Sequence, residues 1–168
     1  MATLTDTGRI ALAKKLKSVP LHLAWGSGLD SWDATPLPET VGITALTTEI
    51  ARRTADTVEF AVPDPVGPII VPYFNGGAVS HSFSVSIAPT KYLYVAVQFA
   101  MADAPTARIR ELGLFVDTVL AGGLPEGQRY FLPSEVSDPG LLLAVERLRP
   151  KIVRQPTTKH LFEFVLTL

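Results

Sequence analysis

Three histidines, His22, His81 and His160, are the side chains of this sequence best suited to proton transfer or metal binding. They stand singly, in or beside expected strands, with no His-x-x-x-His pair and no cysteine to complete a metal set. Ser80-His81-Ser82 has no nucleophile elbow around it, and adjacency in sequence does not make a triad. Asp30-Ser31-Trp32-Asp33 matches only a fragment of a calcium loop, without its glycine and distal glutamate, and reads as a turn with Asx-type hydrogen bonds. Gly26-Ser27-Gly28 lacks both the Gly-Lys-Ser/Thr sequel and the helix that a phosphate loop needs. These patterns lead us to expect no metal, no cofactor and no hydrolase chemistry.

Glu111 is a different case. In a strand over Arg108–Val116, Ile109, Glu111, Gly113 and Phe115 share one face, so a carboxylate sits on an otherwise apolar surface. A buried carboxylate must be paired, because an unpaired buried charge is costly. Arg52 and Arg53, at the start of an earlier strand, are the expected partners. With no second catalytic carboxylate in view, this reads as a structural ion pair before it reads as an active-site acid. The aromatics Trp25, Trp32, Tyr73 and Phe74 offer one further possibility, a platform for a glycan or other ligand. Burial in the core or an interface is the competing and preferred reading for them.

The elements that would carry these groups follow from periodicity. Thr5 or Asp6 can cap a helix to Lys17, with Ile10, Ala13 and Leu16 in a stripe and Lys14, Lys15 and Lys17 on the solvated side. Leu21–Trp25 reads as a short strand, and Gly26 to Pro38 as an irregular loop carrying Trp32. Thr44 to Ile50 is expected to make one helical turn, followed by an alternating strand from Arg52 to Val62. Four prolines and three glycines between Pro63 and Gly77 exclude a central strand and predict an extended arm. Strands at 82–88, 92–101 and 108–116, joined by short connections, read as an antiparallel meander. Leu141 to Arg149 fits helix or strand, with strand preferred, and the apolar strand Leu161–Leu168 must be covered. The whole is expected to be a single domain over residues 1–168, mainly β (α+β) and antiparallel, sandwich-like, with an N-terminal helix, a Pro/Gly-rich arm at 63–77 and a C-terminal extension at 118–168.

Composition narrows the class. Fifteen basic residues against sixteen acidic ones give a net charge of −1, which disfavours nucleic acid as a partner. No window is long and apolar enough to suggest a membrane span, and the N-terminus has no signal-peptide pattern, so synthesis in the cytoplasm is expected. Only 18% of residues are charged. With a mean hydropathy of +0.27, this suggests surface hidden by a partner.

Four segments in order carry a resemblance: Leu4-Thr5-Asp6-Thr7-Gly8-Arg9, Leu23-Ala24-Trp25-Gly26-Ser27-Gly28, Ala45 through Arg53, and Ile109-Arg110-Glu111-Leu112-Gly113-Leu114-Phe115. Together, over about residues 4 to 117, they resemble the attachment domain of tailed-phage tail fibre and baseplate proteins. The resemblance implies a virion structural protein of the tail, made in the host cytoplasm, without cofactor or catalysis and usually oligomeric. Since no long shaft follows, it implies a small baseplate or tail-fibre adaptor binding other tail proteins, the alternative being a glycan- or receptor-binding module of the tail tip. Expected interface residues are Pro65, Pro68, Tyr73 and Phe74 of the arm and Phe162 and Phe164 of the last strand.

Overall fold

The computed structural model describes residues 2–35, 37–72 and 80–168. Thr5 is extended, and its Oγ1 accepts from the Gly8 N–H, satisfying one free donor of the first turn of helix α1 (Asp6–Lys17). Lys14, Lys15 and Lys17 fall in the last turn, where the negative end of the helix dipole favours cations. The strands are β1 (Leu21–Gly26), β2 (Glu49–Thr54), β3 (Thr57–Pro63), β4 (Ile69–Pro72), β5 (Ser80–Ser86), β6 (Tyr92–Phe99), β7 (Arg108–Val116), β8 (Val119–Leu120), β9 (Tyr130–Phe131), β10 (Val136–Asp138), β11 (Leu141–Val153) and β12 (His160–Thr167). The chain is therefore mainly β and antiparallel, with one N-terminal helix, as its periodicities anticipate.

Although its length suggests one domain, the chain gathers into two compact units, each assembled from separated stretches. The first comprises Met1–Val19, Asp56–Val97 and Leu161–Leu168. Its sheet runs β12-β6-β3-β5-β4. Ala61 lies opposite Val85 and Tyr92, and Phe83 opposite Pro63 and Ile69, so these side chains share a face. Ala61, Ile69, Val71 and Phe83 form its buried cluster, with Tyr92, Tyr94 and Val165 packed against it. Helix α1 is tied down by Lys17, which pairs with Glu59 and donates to the Val58 carbonyl, and by Asp6, which pairs with Lys91. The Leu168 N–H donates to the Lys91 carbonyl, bringing the end of β12 to the start of β6. Tyr94 donates to Glu163 at 2.5 Å, and burial followed by that carboxylate pushes its phenol up to about 12.

The second unit comprises Pro20–Ala55 and Gln98–His160. Its sheet runs β11-β7-β1-β2-β9, and β8 and β10 form a separate two-stranded ladder. Every residue of β1 is buried, as is every residue of β7 after Arg108, the charged Arg110 and Glu111 included. Trp25 stacks on Phe99 with ring centroids 3.6 Å apart.

Several expectations are corrected. Strands 82–88, 92–101 and 108–116 are not a meander: β5 and β6 both pair with β3, and β7 pairs with β1 and β11. A short connection permits neighbouring strands to pair but does not compel it, and here the partners come from distant stretches. The expected strand 52–62 is two strands, β2 and β3, interrupted after Thr54. Thr44–Thr48 is loop instead of a helical turn, because its backbone donors are taken by a side chain described below. Within the proposed arm, Ile69–Pro72 is β4, an edge strand that bonds only to β5, a position that tolerates proline. Residues 118–168 do not lie on a finished core, since β11 completes one sheet and β12 the other. Leu141–Arg149 is strand throughout.

Candidate functional site

Glu111 sits at the meeting point of the quoted segments, but with different partners from those expected. It lies opposite Gly26 across the β1–β7 ladder and is 1% exposed. Its Oε1 accepts from the Thr47 N–H at 2.6 Å and the Thr48 N–H at 3.4 Å, so a carboxylate ties down the loop that precedes β2. Burial pushes its pKa up, against the lowering pull of those amides and of Arg147. A Cβ on Gly26 would lie 2.3 Å from Glu111 Cγ, so this glycine leaves the space the carboxylate occupies. The segments of β1, of Ala45–Arg53 and of β7 therefore converge on one buried carboxylate whose job is to hold backbone.

Neither arginine meets Glu111. Arg52 is 1% exposed and forks onto both oxygens of Glu49 at 2.8 and 2.7 Å. Its Nη1 donates to Thr118 Oγ1 and to the Pro139 carbonyl, each at 2.8 Å, and its guanidinium covers the Phe115 ring. Arg53 instead pairs with Asp103 at 2.9 Å. Each arginine found a nearer carboxylate, and Glu111 found amides, whose hydrogen bonds offset part of the cost of its burial. Pairing by strand face could not distinguish these outcomes.

A second cluster holds the loop after β1. Arg110 donates to the Ser27 carbonyl, to Asp30 at 2.5 Å and to both oxygens of Asp33 at 2.9 Å. The Arg110 hydrogen bonds, with those of Lys151, hold Asp33 far below the usual carboxylate range. Arg147 donates to the Pro38 carbonyl and lies over the Trp32 ring, and Arg149 donates to the Leu37 carbonyl. Trp32 is consequently buried, as is Trp25 beneath Phe99 and Arg154. Neither indole is presented to solvent.

Arg154 is the functional-looking residue that sequence reasoning missed. Buried to 2% exposure, it donates to the carbonyls of Ala100, Asp103 and Thr158 and bonds His160 Nδ1 at 2.5 Å. Its neighbours are carbonyls, and no motif announces them. His22 is buried in β1 with Nδ1 unpartnered, edge-on to Phe131; burial and then the charge of Arg52 lower it to about 4. Among the described residues no group of three or more His, Cys, Asp or Glu side chains is placed to hold a metal ion. No described helix is long and apolar enough to cross a membrane.

What the surface offers instead is exposed aliphatic side chains on well-formed strands. In the first unit Val62, Ile70 and Val85 project from β3, β4 and β5, with Ile87 just beyond, and Pro65 and Pro68 are exposed in the connecting loop. Tyr73 and Phe74 lie outside the described residues, and Phe162 and Phe164 of β12 are half-buried. In the second unit Val119 and Leu141 are exposed where residues 116–120 run antiparallel to the stretch from Val136 to Leu141. A family model described as baseplate wedge 3 tail fiber network component matches residues 1–168. The chain belongs to that family. It is a structural component of the phage tail, located at the baseplate and associated there with other tail proteins. A comparison with curated proteins brings no match.

Proposed function

We propose that the chain is a non-enzymatic adaptor, working as an oligomer and joining subunits of the baseplate and tail fibres through its exposed strands. The observation that carries this reading is the pair Val62 and Ile70, exposed on the face of β3 and β4 turned away from the buried cluster. Ile70 is 64% exposed on a paired strand, a placement that costs solvation unless another subunit covers it. Burial of Trp25 and Trp32 weakens the alternative, a glycan- or receptor-binding module, because stacking on a sugar needs an accessible aromatic face. Pro65, Pro68, Phe162 and Phe164 belong to the proposed joining surface, together with Tyr73 and Phe74 from the sequence reading.

Images of intact particles would test this directly. An adaptor has density from neighbouring subunits against the outer face of β3 and β4, and particles carrying Val62→Glu with Ile70→Glu lose fibres or fail to assemble. A chain found at the outermost tip with those strands bare, together with glycan binding by the purified protein, would establish the alternative.

A further inference from the structure

Two exposed surfaces of this chain have apolar centres and opposite charge. Leu12 of α1 and Leu4, which precedes the capping Thr5, are 47% and 49% exposed. Leu4 leans over Gly8, 3.0 Å from where a Cβ would stand. Lys15, on the same side of the helix as Leu12, is exposed and enters no ion pair among the described residues, whereas Asp6 and Lys17 are both committed. Ala13 is buried and Gly8, Arg9, Ile10, Leu16 and Lys17 are half-buried, which leaves the side carrying Leu12 and Lys15 exposed.

The second surface is the corner around Val119 and Leu141, which are 54% and 65% exposed. Asp117 and Asp138 are exposed there, and among the described residues neither enters an ion pair. The corner is braced from beneath by Arg52, which bonds Thr118 in one passage and Pro139 in the other and is itself held by Glu49. A buried, fully bonded guanidinium makes the corner a fixed platform.

The geometry points to α1 of one copy docking on the platform of a second copy, Leu12 against Val119 and Leu141, and Lys15, one turn on from Leu12, against Asp117 and Asp138. This rests on the adaptor reading and names one of the adaptor's partners, itself. Opposite charge selects the pairing: helix on helix would set lysines against lysines, and platform on platform would set aspartates against aspartates. Because the two patches differ, the contact is head to tail. Every copy added leaves one helix and one platform free, so association continues into a ring or a chain.

Sedimentation velocity of the full chain over a concentration series tests this. Wild type self-associates, less so in added salt. Lys15→Glu, or Asp117→Asn with Asp138→Asn, weakens association by about tenfold or more. Asparagine keeps the acceptor that Asp138 offers to the Gly140 N–H and suits the positive φ of Asp117. The decisive arm mixes Leu12→Glu, which retains only the platform, with Leu141→Glu, which retains only the helix. Each alone is monomeric, and the mixture forms dimers that grow no further, which also shows that both variants fold. Monomeric wild type, undiminished association of Leu12→Glu alone, or a mixture that stays monomeric overturns the proposal. If the monomeric chain is still found against other tail proteins in particles, the adaptor reading stands without it.

Discussion

His22 makes the stability of this fold depend on pH in a calculable direction. The imidazole is 3% exposed, has no partner at Nδ1 and is near the charge of Arg52, so the fold holds it neutral, with its pKa lowered from 6.5 to about 4. Above pH 6.5 both folded and unfolded chains carry it neutral, and its contribution is constant. As pH falls from about 6.5 to about 4, the unfolded chain takes a proton that the folded chain refuses, so stability is lost through that window and levels off below it. The gap between 6.5 and about 4 corresponds to about 3 kcal/mol, at about 1.4 kcal/mol per pH unit. Urea unfolding of wild type and His22→Leu at pH 7, 6, 5 and 4 measures it, since the substitution removes the titrating group and breaks no bond at Nδ1. Wild type should lose about 3 kcal/mol more than the variant between the ends of the series. Parallel pH profiles for the two proteins, or an imidazole that titrates near 6.5 by NMR in the folded state, would refute the reasoning.

Four further outcomes follow from the buried ions. Gly26→Ala should destabilise by about 1–3 kcal/mol in thermal or urea unfolding, because its Cβ would enter the volume of the Glu111 carboxylate. Glu111→Ala should cost about 2–4 kcal/mol by leaving the Thr47 and Thr48 amides without their acceptor. Glu111→Gln, which keeps a carbonyl oxygen there, should cost less than about 1.5 kcal/mol and remove the loss of stability that ionising this raised-pKa carboxylate brings as pH increases. Arg110→Ala should release the loop from Ser27 to Asp33, read as faster amide hydrogen exchange over 27–35 and easier quenching of Trp32 fluorescence, while α1 keeps its protection.

Pairing by strand face failed at Glu111 for a physical reason. The alternation of β7 correctly placed the carboxylate on an apolar face, and burial of a charge correctly demanded compensation. Compensation has no sequence range, however: the donors came from loop amides at Thr47 and Thr48, and no residue type marks a free amide. Trp32 misled in the same way. Gly, Asp and Ser around it are loop formers, but three arginines from β7 and β11 fold that loop down and bury the indole.

Residues acting on near neighbours were legible from sequence alone. Thr5 caps α1 because its oxygen reaches an amide three residues on, β1 forms on a short apolar run, and β7 and β12 form where β-branched and aromatic side chains recur. The four ordered segments carried the tail-protein resemblance for the same reason, each being a local pattern. Strand order was left to the tertiary structure, because β3 between β5 and β6, and β7 between β1 and β11, are choices among distant edges of similar chemistry. So were the partners of Arg52, Arg154 and Glu111, since a buried ion is satisfied by whichever dipoles the finished packing brings within 3 Å or so.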